Sequence, residues 1–145
     1  MQAGRRIFLH LTGVLLLGAA GMTVPASAMA ADSGNPLRIG IVGSGRIGST
    51  LGAAWIKAGH EVMFSSLNLD QDKALAASMG PKAHAGTTQQ AAEFGSVLLV
   101  SVPYSAMPQI GKDLGDRLKG KIIIDTSNPV PGRDGEVGVK SLEKG

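Results

Sequence analysis

The stretch Arg38-Ile39-Gly40-Ile41-Val42-Gly43-Ser44-Gly45-Arg46-Ile47-Gly48 runs from a short apolar segment through three spaced glycines into a helical pattern. Leu37 to Val42 has the β-branched, apolar character of a strand. From Arg46 to Ala58 the apolar residues Ile47, Leu51, Trp55 and Ala58 recur at helical spacing, and Gly59 is placed to stop that helix. Between strand and helix lies G-x-G-x-x-G, and a strand-turn-helix setting is the context in which this spacing carries chemistry. Gly43 permits a tight turn. Gly45 lacks a Cβ, so a pyrophosphate can approach the backbone. Gly48, with Gly52 one turn on, lets the helix lie close to the sheet. The unpaired N–H groups and positive end of the helix then face the phosphates.

Outward from this turn the chain alternates. Glu61–Ser65 reads as a second strand. Asp70–Met79 reads as a helix capped by Asp70, and a weak strand follows near Ala83–Ala85. Thr87–Phe94 is a short helix. Val97-Leu98-Leu99-Val100-Ser101-Val102 is a continuous apolar run, which suits a parallel strand covered on both faces. Ser105–Leu118 is expected as one helix, with Met107, Ile110, Leu114 and Leu118 on one side. Lys121-Ile122-Ile123-Ile124-Asp125 is expected as another buried strand. This order predicts an α/β fold, a Rossmann-type doubly wound parallel sheet with helices on both faces. Residues 37–130 form its dinucleotide-binding domain, after a short lead at 32–36.

The composition agrees with one domain. The chain has 145 residues, 43% hydrophobic and 17% charged, which excludes a disordered chain. Its 21 glycines follow no G-X-Y period, so collagen is excluded. Cysteine is absent, which removes disulfides, zinc–cysteine sites, iron–sulfur clusters and a cysteine nucleophile. His10, His60 and His84 have no metal-ligand spacing. Beyond residue 31 there are 12 basic and 11 acidic residues, scattered and with few aromatics, so nucleic acid is not an expected partner.

Residues 1–31 read as an address. Arg5 and Arg6 precede an apolar stretch from Ile7 to Met22, followed by Ala26-Ser27-Ala28-Met29-Ala30-Ala31. This is the order of an export signal. An apolar helix of that length spans about 24 Å, short of the ~30 Å hydrocarbon core. Arg5-Arg6-Ile7-Phe8-Leu9-His10 resembles the twin-arginine export motif, with His10 in place of lysine. The expectation is periplasmic export by that route, cleavage near Ala28–Ala31, and membrane contact only through the signal.

The end of the second strand bears on which dinucleotide is held. An NAD site commonly has a carboxylate there for the ribose 2′-OH. Phe64-Ser65-Ser66-Leu67-Asn68 holds none, and Asp70 is the first acid reached. Ser65, Ser66 and Asn68 can donate hydrogen bonds to a 2′-phosphate, which favours NADP(H) over NAD(H). No arginine follows the serines. Arg46 is either a substitute cation or a solvated side chain. At the ends of later strands, Val102-Pro103-Tyr104 and Thr126-Ser127-Asn128-Pro129 would flank the nicotinamide half, with Tyr104 covering its loop. His60 reads as structural or solvated.

These segments, with Ala58-Gly59-His60-Glu61-Val62 and Ile124-Asp125-Thr126-Ser127-Asn128-Pro129, resemble the NADPH-dependent reductases of the deazaflavin coenzyme F420. The same dinucleotide domain is similar to the N-terminal module of pyrroline-5-carboxylate reductases. The resemblance covers residues 37–139, and the segment Asp125 to Gly135, with Asn128-Pro129 and Gly132-Arg133-Asp134-Gly135, is its more specific part. It implies that Ser44, Arg46 and Ile47 contact phosphates, that Ser65 and Ser66 hold the 2′-phosphate, and that Val102, Pro103 and Asn128 line the nicotinamide side. Leu67 stands where the family commonly has arginine. The implied chemistry is hydride transfer between nicotinamide and a stacked acceptor such as coenzyme F420. That reaction needs orientation more than an acid or base, so no catalytic residue is named. Relatives continue through a sixth strand and a helical segment. Residues 131–145 are therefore expected to be a crossover cut short, in a sheet lacking its last strand. A homodimer or a partner chain would complete such a fold. An active reductase, a binding module without turnover, and an imine or ketone reductase all remain open.

Overall fold

Two apolar stripes meeting on a parallel sheet organise the protein. The computed structural model describes residues 34–144. The export signal read in residues 1–31 lies outside the described residues. Among those described, no helix is long and apolar enough to cross a membrane.

The strands are β1 (Arg38–Val42), β2 (Glu61–Ser65), β3 (Ala83–Ala85), β4 (Val97–Val100) and β5 (Ile122–Asp125). All pair in parallel, in the order β3-β2-β1-β4-β5. Helices α1 (Arg46–Lys57), α2 (Leu69–Met79), α3 (Thr88–Phe94), α4 (Met107–Leu114) and α5 (Pro131–Lys144) connect or follow them. β1 has β2 on one side and β4 on the other. The chain thus winds away from β1 in both directions, and the crevice beyond its carboxyl end is where such sheets bind ligands.

The side-chain period of two divides the core between the faces. Ile39 and Ile41 of β1, Val62 and Phe64 of β2, and Val97 and Leu99 of β4 pack with Leu51 and Trp55 of α1 and Ala76 of α2. Leu98 and Val100 turn the other way, joining Val42, Ala92 and Leu114, with Met107 and Ile110 of α4 against them. The apolar run in β4 is therefore continuous because both of its faces are covered.

Three expectations need correction. α2 starts at Leu69, one residue early, because the Asn68 side chain and not Asp70 caps it by accepting from Gln71 N at 3.1 Å. The helix expected over Ser105–Leu118 is broken. A 3-10 turn at Tyr104–Ala106 precedes α4, and Gly115, at φ 45°, ends α4 before a second 3-10 turn. β5 is not a buried strand. Among the described residues it has β4 as its one neighbour, and Ile122 and Ile123 are exposed, while Ile124 packs on the core. Residues 131–144 are helical but kinked at Gly135 (φ 59°), and they lie against the Tyr104 turn.

Candidate functional site

The glycine turn is held by backbone from the ends of both neighbouring strands. Gly43 N and Ser44 N both donate to Ser65 O at the end of β2 (2.9 and 3.1 Å), and Ser101 N beyond β4 donates to Val42 O (2.8 Å). Gly43 has φ 99°, and a Cβ there would run into the Ser101 carbonyl. A Cβ on Gly48 would strike the Gly43 carbonyl, and one on Gly52 would strike the Phe64 ring. These three glycines are required by the fold itself. Gly45 is different. Its φ of −62° suits any residue, and a Cβ built on it meets nothing within 4 Å. It caps α1 without a side-chain hydrogen bond, so the first-turn N–H groups are left for another acceptor.

The open space beside Gly45 is two crevices, one on each side of the turn. The first, of about 360 Å³, lies between Gly45, Arg46 and Ile47 and the loops after β4 and β5, where Val102, Pro103, Asn128 and Arg133 line it. The second, of about 380 Å³, lies between Ser44 and the loop after β2, where Ser66 and Leu67 form one wall and Val102, Pro103, Ala106 and Ile110 the other. Gly45, Val102 and Pro103 belong to both. Two chambers joined over a helix N-terminus match the two halves of a dinucleotide with its pyrophosphate between them. The mainly apolar second chamber suits a purine ring. In the first, the Ser127 hydroxyl is buried and has no hydrogen-bond partner among the described residues, which leaves a donor for a bound group. The residues present fit a nicotinamide dinucleotide.

Of the residues read as a cofactor site, the structure brings Gly43, Ser44, Gly45, Arg46, Ile47, Ser66, Val102, Pro103 and Asn128 to these crevices. Gly48 is buried beneath the turn in a packing role. Ser65 is misplaced by the sequence reading. It is fully buried, and its hydroxyl donates to Ile41 O at 2.7 Å, so its side chain cannot reach a 2′-phosphate. Asn68 lines neither crevice, because its side chain is the cap of α2. Leu67 is fully exposed at the rim. His60 is structural: its Nδ1 accepts from Leu37 N at 3.1 Å. The Tyr104 hydroxyl accepts from Ser141 Oγ of α5 at 2.9 Å.

Two carboxylates do more than the sequence reading gave them. Asp72, in the first turns of α2, is fully buried and accepts from the Ser44 hydroxyl and from the Ser66 hydroxyl at 2.9 Å. It ties the glycine turn to the end of β2. The available signal was an acid on the inward stripe Asp72, Leu75, Ala76 and Met79 of an amphipathic helix. Asp134 is also buried. Its carboxylate accepts from Val130 N (2.9 Å), from Ser105 N (3.2 Å) and hydroxyl (3.1 Å), and from Arg133 (2.8 Å). Arg133 also donates to Asn128 O at 2.6 Å. The guanidinium, with the backbone and hydroxyl donors, holds the Asp134 carboxyl well below the usual carboxylate range against the cost of its burial. This cluster joins the two loops that close the first crevice. Among the described residues, no group of three or more acids, histidines or cysteines is placed to hold a metal ion.

Comparison with known proteins places the chain. Residues 38–129, more than half of it, match the profile of the family described as NADP oxidoreductase, coenzyme F420-dependent. No protein of curated function matches. Among solved structures, the chain is similar to a protein of Arthrobacter sp. FB24 whose assignment as an F420-dependent NADP reductase is provisional. The TM-score is 0.55 at 23% identity, over 64% of this chain and 46% of that one. It is also similar to an imine reductase of Streptomyces aurantiacus, with a TM-score of 0.56 at 20% identity, over 74% of this chain and 37% of that one. A reductive aminase of Aspergillus terreus, solved with NADPH and ethyl levulinate, gives 0.56 at 20% identity, over 76% and 38%. The chain thus spans less than half the length of these proteins. It has their Rossmann-type fold, and it belongs to the F420-dependent NADP oxidoreductase family.

Proposed function

We propose that this chain is the dinucleotide-binding domain of a reductase that moves a hydride between a nicotinamide and a planar acceptor such as a deazaflavin. The observation that carries this reading is Gly45. The fold does not need glycine there, whereas a pyrophosphate at the start of α1 does. When bound, the dinucleotide supplies the hydride.

The chain's own residues bind and orient. The first-turn N–H groups of α1 and the Arg46 side chain would hold the pyrophosphate. Val102 and Pro103 separate the two chambers, and Asn128, with Ser127, borders the ring-binding one. The Asp134 cluster fixes the loops carrying them, and rigid placement of reacting rings is the main protein contribution to hydride transfer. We further propose that residues 1–31 direct twin-arginine export, and that a second copy or a partner chain contributes the far wall of the acceptor site.

The test is to mix the full chain with NADPH or NADH and supply deazaflavin, flavin, quinone and cyclic imine acceptors in turn. Oxidation of the nicotinamide with a deazaflavin is expected. Binding without turnover across all acceptors would leave a binding module and refute the reductase reading.

A further inference from the structure

Asp72 lies buried directly behind the Ser44 and Ser66 wall of the second crevice. In the dinucleotide reading, on which this inference rests, the second crevice takes the adenosine half, and the ribose 2′ substituent faces the loop after β2. Ser44 and Ser66 are the hydroxyls lining that wall. Each hydroxyl has one proton to give. Ser44 gives its proton to Asp72 Oδ1. Ser66 accepts from Asn68 N at 3.1 Å, and of its two acceptors, Asp72 Oδ2 at 2.9 Å and the Asn68 carbonyl at 3.4 Å, the nearer and charged one takes its proton. Both therefore turn lone pairs to the crevice, with a carboxylate directly behind them.

A ribose 2′-OH can donate to those lone pairs. A 2′-phosphate has only acceptors to offer a wall of acceptors, and its charge is repelled by the carboxylate. No compensating cation lines this chamber: its described lining residues include no lysine or arginine, and Leu67 projects at the rim. Arg46 lines the other chamber. Lys73, next in sequence to Asp72, pairs with Asp70 at 3.6 Å.

We propose that Asp72 is a specificity-determining residue that opposes the 2′-phosphate, so that this member of an NADP family accepts NAD(H) alongside NADP(H). It acts through Ser44 and Ser66, and fixes which way their protons point.

The experiment is calorimetric titration of the full chain with NADPH, NADH, adenosine 5′-monophosphate and adenosine 2′,5′-bisphosphate. In the unaltered protein, the 2′-phosphate is expected to change affinity by less than about threefold in either pair. A gain of about tenfold or more from the 2′-phosphate would overturn the proposal. Asp72→Asn keeps the shape, removes the charge and lets one serine proton face the crevice. It is expected to raise NADPH affinity relative to NADH about tenfold, the worth of one partly screened unit charge. An unchanged ratio in a folded variant would overturn the proposal while leaving the dinucleotide reading intact. Should Asp72→Asn not fold, the mononucleotide pair on the unaltered protein decides alone. Failure of every nucleotide to bind a folded sample would overturn the crevice reading and this inference with it.

Discussion

Replacing Gly45 by valine separates the two possible reasons for a glycine in the turn. The backbone at Gly45 has φ −62°, and a Cβ there meets no atom within 4 Å, so the fold tolerates a side chain. The expected structural cost is the poorer capping of α1, at most about 1 kcal/mol. For a domain of this size that is a fall in Tm of roughly 4 °C at most. The cost to binding is larger. The valine branches fill the space over the first-turn N–H groups, and losing two charge-assisted hydrogen bonds there removes about 3–6 kcal/mol of binding energy. Affinity for NADPH should then fall about a hundredfold or more. Trp55, the one tryptophan, packs on the core from α1 and reports folding by its fluorescence. Calorimetry on the same sample reports binding. A folded Gly45→Val protein that binds dinucleotide as well as the parent would refute the reasoning. Gly43→Val is the contrast: φ 99° and the Ser101 carbonyl predict loss of the fold along with binding.

Other consequences follow from packing and charge. Leu114→Ala, at a fully buried site under the second core cluster, should destabilise the protein by about 2–5 kcal/mol in chemical denaturation. Gly52→Val should cost about 1–3 kcal/mol or more by overpacking against the Phe64 ring, seen as a lowered denaturation midpoint. Asp134 has a depressed carboxyl pKa in the fold, so its stabilising contribution is present above the unfolded value of about 3.9 and is lost as pH falls below it. Thermal melts at about pH 6 and about pH 3 should therefore differ less in Asp134→Asn than in the parent. An equal difference would show that the Asp134 carboxylate adds no stability at neutral pH.

The part of the fold nearest the glycine turn was legible because each local signal has one structural solution. A strand, a left-handed glycine and a helix with a smooth Gly48–Gly52 face can only stack as β1, turn and α1. The apolar run at Val97–Val100 announced a strand covered on both faces, and it is one. The three isoleucines of β5 gave the same local signal, but whether a strand is covered depends on elements elsewhere in the chain. Gly115 was invisible as a break because the stripe Met107, Ile110, Leu114 and Leu118 continues through it.

At the site, a single step along β2 decided the outcome. Ser65 and Ser66 are adjacent, but side chains alternate between faces, so Ser65 is sealed against Ile41 and Ser66 opens to the crevice. Asp72 was missed because its partner Ser44 lies 28 residues away, and no local pattern reports that contact. Asp134 was noticed only within a family-like segment. Its role in joining Ser105 to Val130 is visible only in three dimensions.

The central claim is that the two chambers beside Gly45 hold a nicotinamide dinucleotide. Its most direct test is a calorimetric titration of the full chain with NADPH and with NADH. The account predicts saturable binding of at least micromolar affinity to one copy of the chain, abolished by Gly45→Val. A folded chain that binds neither dinucleotide would contradict it.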